Sequence, residues 1–262
     1  MKNKHAARIA TLTGLALLLV SQGSGAADLK DVTLGTGFDY STGTYGGSQS
    51  TDIFYIPFIG KYELDERWTF KLTVPYIRVT GPDTVIPGVG TVAGRPAAPV
   101  TTRSGLGDIV AAATYSFEQH SASDVAIDLT GKIKLGTADE NEGLGTGEND
   151  YSVEADFYKN FDRITGFVTV GYSILGSSAS IPLNNVFYGA VGASYKFNDE
   201  TSAGASLYLR QPASSTSGDQ ADVTAFVAYK FAPLWKLQAY VLTGFAPGSP
   251  DWAIGALVGR SF

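Results

Sequence analysis

From about residue 31 onward, apolar and polar positions alternate with a period of two. Trp68, Phe70, Leu72, Val74 and Tyr76 are apolar, with Thr69, Lys71 and Thr73 between most of them. Val125, Ile127, Leu129, Ile133 and Leu135 stand around Asp128, Thr130, Lys132 and Lys134, and Val223, Ala225, Val227, Tyr229 and Phe231 enclose Asp222, Thr224 and Lys230. Successive side chains of a strand point to opposite faces, so this spacing gives each segment one apolar and one polar face. Reading every such run predicts about twelve strands, near 31–40, 52–62, 67–79, 105–117, 125–136, 150–160, 164–175, 186–197, 202–210, 222–231, 235–245 and 251–262. In the second run, "TDIFYIPFIGKY", both parities are apolar, which leaves its inward face undecided.

The connections choose between a soluble sandwich and a closed barrel. Tight polar links at Glu63-Leu64-Asp65-Glu66, Asn160-Phe161-Asp162-Arg163, Asn198-Asp199-Glu200 and Ala232-Pro233-Leu234 alternate with long segments such as 80–104 and 138–149. Short periplasmic turns alternating with long outer loops belong to outer-membrane barrels, and a sandwich has no reason to keep that order. Tyr115-Ser116-Phe117, Tyr195-Lys196-Phe197 and Tyr229-Lys230-Phe231 each put two aromatics on one strand face just before a tight turn. Amphipathic rings favour the membrane interface, so these read as a periplasmic girdle, with Phe157, Tyr62 and Trp68 at similar levels. The predicted fold class is all-β, a closed antiparallel transmembrane β-barrel of about twelve strands.

Lys2, Lys4 and Arg8 precede an apolar run from Ile9 to Val20, followed by the small residues Ser24-Gly25-Ala26-Ala27. This is the pattern of a secretory signal peptide, predicted over 1–27 and leaving 28–262 as the barrel. Without those three cations, 16 basic residues face 25 acidic ones, a formal charge of −9. No nucleic-acid partner suits that balance. The chain has no cysteine, so neither a disulfide nor a lipid anchor on cysteine is expected. The expected partners are outer-membrane lipid, the assembly machinery of the outer membrane and a small-molecule solute, and the expected location is the bacterial outer membrane.

On the polar parity lie the candidate lumen-lining residues. Asp128, Lys132 and Lys134 on one strand meet Glu154 and Asp156 on the next, and pairing across the 138–149 loop would set Lys132 opposite Glu154. Lys71, Asp108, Tyr208, Arg210 and Tyr240 complete the set, with Tyr188 and Phe226 among them. These residues line a pathway or form a purely structural charge network. About twelve strands enclose a narrow lumen. The 80–104 segment, with Pro82, Pro87, Pro96 and Pro99, is long enough to fold over or into the mouth, or to stand out as an outer loop.

Catalytic chemistry finds little to work with. His120, in "EQHSASD", is the one histidine after the leader and falls in a predicted periplasmic turn, where ordinary turn chemistry explains it and its neighbours Ser121 and Asp124. There is no G-x-S-x-G elbow. The loop "EGLGTGEND" lacks the Lys-Ser/Thr of a phosphate loop, its acids Glu142, Glu148 and Asp150, with Glu140 just before it, would repel phosphate, and it reads as a solvated outer loop. No catalytic residue, cofactor or metal site is expected, and the chain is not expected to be an enzyme.

Several stretches carry a resemblance. Ser104-Gly105-Leu106-Gly107-Asp108, "LTVPYIRVTG", Gly131-Lys132-Ile133-Lys134, Gly143-Leu144-Gly145-Thr146-Gly147 with Asp150-Tyr151, and the final Phe262 resemble the outer-membrane barrel family labelled as the meta-pathway of phenol degradation type. Gly136 and Ala138 depart from it, standing where a proline and a glycine would be. The resemblance implies a barrel that passes small compounds, often aromatic or hydrophobic. The expected function is therefore a passive channel. An outer-leaflet enzyme, lipid-modifying or proteolytic, and a structural or surface-interaction barrel without transport are the alternatives. "DWAIGALVGRSF" reads as the closing strand, with Phe262 joining the girdle and serving assembly, and Arg260 on the lipid parity.

Overall fold

The computed structural model describes residues 31–93, 99–117 and 124–262. The predicted signal peptide, Pro96, His120 and Ser121 lie outside them. The strands are β1 (Asp31–Gly43), β2 (Thr51–Glu63), β3 (Trp68–Gly81), β4 (Val85–Ile86), β5 (Gly90–Thr91), β6 (Thr101–Leu106), β7 (Ile109–Ser116), β8 (Val125–Leu135), β9 (Asp150–Phe161), β10 (Ile164–Ile174), β11 (Val186–Lys196), β12 (Thr201–Arg210), β13 (Gln220–Ala232), β14 (Trp235–Gly244) and β15 (Trp252–Ser261).

Neighbours in sequence pair antiparallel around the wall, and β1 pairs with both β2 and β15. The sheet therefore closes on itself. The final contact is made by Phe262, whose N–H donates to the Val32 carbonyl at 2.9 Å. Closure satisfies every edge, the condition for crossing hydrocarbon with strands. β4 and β5 form a separate small hairpin, and β6 and β7 both pair with β3 as two halves of one wall strand, which makes twelve wall strands.

The continuous strand expected over 105–117 is corrected to this pair of segments, beginning further out at Thr101. β3 pairs Thr73 with Val110 but Tyr76 with Leu106, so an extra residue is accommodated at Gly107-Asp108. The cause is local: Pro75 on β3 turns its backbone toward this strand, and its ring nitrogen cannot donate to the ladder. Gly107 closes the bulge by donating its N–H to the Pro75 carbonyl at 2.9 Å. A side chain there would come within 2.9 Å of the Pro75 ring.

The burial pattern is the reverse of a water-soluble domain. Leu34, Phe58, Val170, Val191 and Val241 are exposed on the outer wall, while Asp128, Lys132, Glu154, Asp156 and Thr169 are buried inside. In the ambiguous second run, Ile53, Pro57 and Ile59 turn inward and Phe58 outward. At the tight turns, Asp65 Oδ1 accepts from the backbone N–H groups of Arg67 and Trp68 at 2.8 and 2.7 Å, and Asn198 Oδ1 does the same for Glu200 and Thr201 at 3.0 and 2.7 Å. Rings gather just above these turns. Trp68 lies 5.0 Å from Tyr115, which lies 4.9 Å from Phe117, and Tyr195 is 5.0 Å from Phe197.

Candidate functional site in the lumen

Inside the wall, four rings lie across glycines of the neighbouring strand. A Cβ on Gly255 would fall 2.5 Å from the Tyr240 ring, on Gly171 2.2 Å from Tyr188, on Gly192 2.4 Å from Phe167 and on Gly204 2.6 Å from Phe226. The missing side chains let the rings lie back against the sheet instead of projecting to the barrel axis. Tyr158, Phe167, Phe226 and Tyr240 join with Ala126 into one apolar cluster on the inner wall, each ring 4% exposed or less. That side of the lumen is packed rather than water-filled.

Polar groups share the interior with this cluster. Lys132 Nζ lies 2.6 Å from Glu154 Oε2, and the Tyr188 hydroxyl donates to the same oxygen at 3.0 Å. The ladder, however, sets Thr130 opposite Glu154 and Lys132 opposite Ser152. The expected direct pairing of Lys132 with Glu154 is thus corrected to a diagonal contact, which a lysine's four-carbon stem spans easily. Asp128 faces Asp156 across the same ladder, and Thr169 donates its hydroxyl to Asp156 at 2.5 Å. Nearer the outer end, Lys134 bridges Asp108 and Asp150, each at 2.9 Å. Lys71 is half-buried on the inward parity of β3, and Tyr208 lies 6.4 Å, ring to ring, from Tyr188.

Arg210, expected to line the pathway, instead holds the roof. Its Nη1 donates to the Gly88 carbonyl at 2.5 Å and its Nη2 to the Val89 carbonyl at 3.1 Å. Arg103 does the same from the opposite side, donating to the carbonyls of Gly81 and Pro82 at 3.0 Å and of Val85 at 3.4 Å. Between them sits the β4–β5 hairpin. Ile86, Val89 and Val92 pack on Ile181, Val186 and Ala213, and the Thr91 carbonyl accepts from the Ser214 hydroxyl at 2.7 Å. Of the readings open for the 80–104 segment, its described part takes the one in which the chain folds over the mouth.

The glycine-rich loop also turns inward, which corrects its reading as wholly solvated. Leu144 and Thr146 are buried, Leu144 in a cluster with Ile53, Ile77, Val79 and Val85, while Glu140 and Glu142 remain exposed. Asp108, placed by the bulge, accepts from the Ala138 N–H at 3.0 Å and fastens the loop to the wall.

Below the hairpin lies a cavity of about 200 Å³. Ile86, Pro87, Gly88 and Gly90 roof it, and Ile53, Ile59 and Ile77 form an apolar side. Asp39, Asp222, Gln220 and Tyr240 line it as well. Tyr240 donates its hydroxyl to Asp39 Oδ2. Tyr45 donates to Ser41 Oγ at 2.7 Å, and burial above all, with the Asp39, Asp52 and Asp222 carboxylates adding, pushes its hydroxyl above the usual tyrosine range, so it remains a neutral donor. Asp39, Asp222 and Gln220, which line the cavity, and Arg103, which holds the hairpin segment, are not among the residues expected from the sequence. The inward parity of "GFDYS" marks Asp39, whereas Arg103 falls in the proline-bearing 80–104 segment, where no alternation marks it.

At the end of the wall, the Arg260 guanidinium lies 4.7 Å from the Phe262 ring and 5.4 Å from that of Trp235. This is how a cation is accommodated on the lipid parity, its charge held at the interface by ring faces.

A closed, apolar-walled antiparallel barrel of this kind is an outer-membrane protein of a Gram-negative bacterium. The chain belongs to the family described as "Putative MetA-pathway of phenol degradation", whose model matches residues 24–259. Among solved structures, the COG4313 outer membrane channel from Pseudomonas putida F1 is similar, with a TM-score of 0.69 and 14% identity, covering 93% of this chain and 100% of that one. The NanC porin is also similar, with a TM-score of 0.53 and 9% identity over 88% of this chain and 98% of that one. At these identities the likeness is one of fold. No curated protein sequence matches this chain.

Proposed function

We propose that the barrel is a passive channel for small solutes, with hydrophobic or single-ring compounds favoured. The observation that carries this reading is the roofed cavity: about 200 Å³ directly under the hairpin, with one apolar side and a few convergent polar groups. Apolar cavities of ~150 Å³ accommodate a benzene ring, so one aromatic solute fits. The resemblance to channels supports the role, and the family description supports aromatic solutes. Two barriers stand on the route, the hairpin held by two arginines and the packed aromatic wall, so passage requires side chains or hairpin to shift. The test is conductance of the purified barrel in planar bilayers, together with uptake of small solutes into liposomes. Ion current and solute entry support the channel; no permeability to any small solute overturns it.

The packed wall favours a second reading, a structural barrel without transport, which absence of both permeability and hydrolysis would support. Lipid or peptide hydrolysis without conductance would instead point to an enzyme.

Phe262 is proposed to serve recognition by the outer-membrane assembly machinery as well as closure. Replacing Phe262 by Ala removes a ring 57% exposed at the girdle and keeps the backbone bond to Val32. The expected outcome is less folded, heat-modifiable barrel in the membrane, with unchanged conductance per inserted barrel. Normal insertion would remove the assembly role.

A further inference from the structure

The cavity under the hairpin carries acceptor atoms without a hydrogen-bond partner among the described residues. Asp39 is 2% exposed and Asp222 5%. One carboxylate oxygen of each, Oδ1, is buried without a hydrogen-bond partner among the described residues, as is Gln220 Oε1. All three side chains line this one cavity. Of the cations nearby, Lys134 bridges Asp108 and Asp150, Arg103 donates to the carbonyls of Gly81 and Pro82, and Arg210, which donates to the hairpin, also brings its charge to bear on Asp222, so Asp39 is the carboxylate that no cation answers among the described residues. No ion pair joins Asp39 or Asp222 to a lysine or arginine among the described residues. The Tyr240 hydroxyl supplies Asp39 with one hydrogen bond and no charge.

A buried carboxylate without a countercharge is costly, and the deficit is made good by a cation or a proton. The surroundings favour a particular cation. Ile53, Ile59 and Ile77 offer an apolar side that a bare metal ion would leave unused, and the rings of Tyr45, Tyr55 and Tyr240 stand around the same space. Ring faces attract ammonium groups, most strongly where water is excluded.

We propose that this cavity binds a small organic cation, an ammonium group carried on an apolar or single-ring body, with the ammonium at the Asp39 carboxylate and the body against the isoleucines. The inference deepens the channel reading and, as to transport, rests on it; binding itself can be measured without conduction. The charge is supplied by Asp39, with Asp222 lining the same cavity, and the volume limits the body to about one ring.

The experiment is a ligand-observed NMR titration of the purified, detergent-folded full barrel with three probes of one shape: benzylammonium, benzyl alcohol and benzoate. Benzylammonium is expected to bind at least about tenfold more tightly than benzoate and more tightly than benzyl alcohol. In Asp39→Asn and Asp222→Asn, read singly, its affinity should fall about fivefold or more while that of benzyl alcohol stays unchanged, which also cancels partition into detergent. Heat-modifiable mobility on gels shows that each variant is folded, and if Asp39→Asn does not fold, the Asp222→Asn titration decides. Benzyl alcohol binding as well as benzylammonium means that a proton fills the site and overturns the proposal, as does benzylammonium affinity unchanged in the variants. Binding without ion current leaves this site standing and sinks the channel; current without benzylammonium binding does the reverse.

Discussion

Replacing Arg103 and Arg210 together by Ala is expected to raise single-channel conductance severalfold and to turn a quiet channel into one that flickers between levels. Four hydrogen bonds from two guanidinium groups, to the carbonyls of Pro82, Val85, Gly88 and Val89, hold the hairpin segment across the mouth. Bonds from charged donors contribute about 1.5–3 kcal/mol each, so losing even two of them changes the closed-to-open ratio by more than tenfold. The apolar contacts of Ile86, Val89 and Val92 remain, and for this reason the expected product is a mobile roof rather than a lost one. Either single variant should give an intermediate effect, because the arginines grip opposite sides of the hairpin. Planar-bilayer recording checks this directly. Conductance and noise unchanged in the double variant would show that the hairpin is not the barrier.

The second large effect is expected at Glu154. Its carboxylate accepts from both Lys132 at 2.6 Å and Tyr188 at 3.0 Å, and both members of the ion pair are almost fully buried. Changing Glu154 to Ala leaves the Lys132 ammonium buried beside a hydroxyl that has lost its acceptor. Removing one partner of such a pair typically costs about 3–5 kcal/mol. The midpoint of urea unfolding should fall accordingly. The combination of Lys132→Met with Glu154→Leu should recover part of the loss, since neither member of this pair is then left charged without the other. A single variant as stable as the parent would show that water already reaches the pair. The charge-reversed Glu154→Lys, folded at low yield, should move ion selectivity toward anions if the pair lines a conducting lumen.

Much of the barrel was legible because a strand in a membrane wall must obey two rules at once. Outward residues meet lipid and inward ones meet a polar interior, so Leu129 and Ile133 had to alternate with Asp128 and Lys132, and tight turns had to alternate with long loops. Inward parity alone identified Lys132, Glu154, Asp156 and Tyr240 as interior residues. Parity does not fix register. It placed Lys132 level with Glu154, whereas the ladder sets them two residues apart and the contact runs on the diagonal. Pro57 and Pro75 were visible as residues without N–H donors, but only the pairing of β3 with the next wall strand shows that Pro75 is the one set against the break at Gly107-Asp108.

The chain's pattern by itself determined the all-β class, the strand number, the side on which each turn lies and the parity of nearly every wall residue, because these follow from local spacing and from the need to satisfy every backbone group in lipid. The tertiary structure alone decided what the interior does. Arg210 and the carbonyls of Gly88 and Val89 are more than 120 residues apart, and an acceptor on the backbone leaves no trace in the sequence. The same holds for the rings laid over Gly171, Gly192, Gly204 and Gly255, and for the cavity where one carboxylate oxygen each of Asp39 and Asp222 is left without a hydrogen-bond partner among the described residues. Such contacts are set by register and closure around the barrel, which bring together residues that no local period connects.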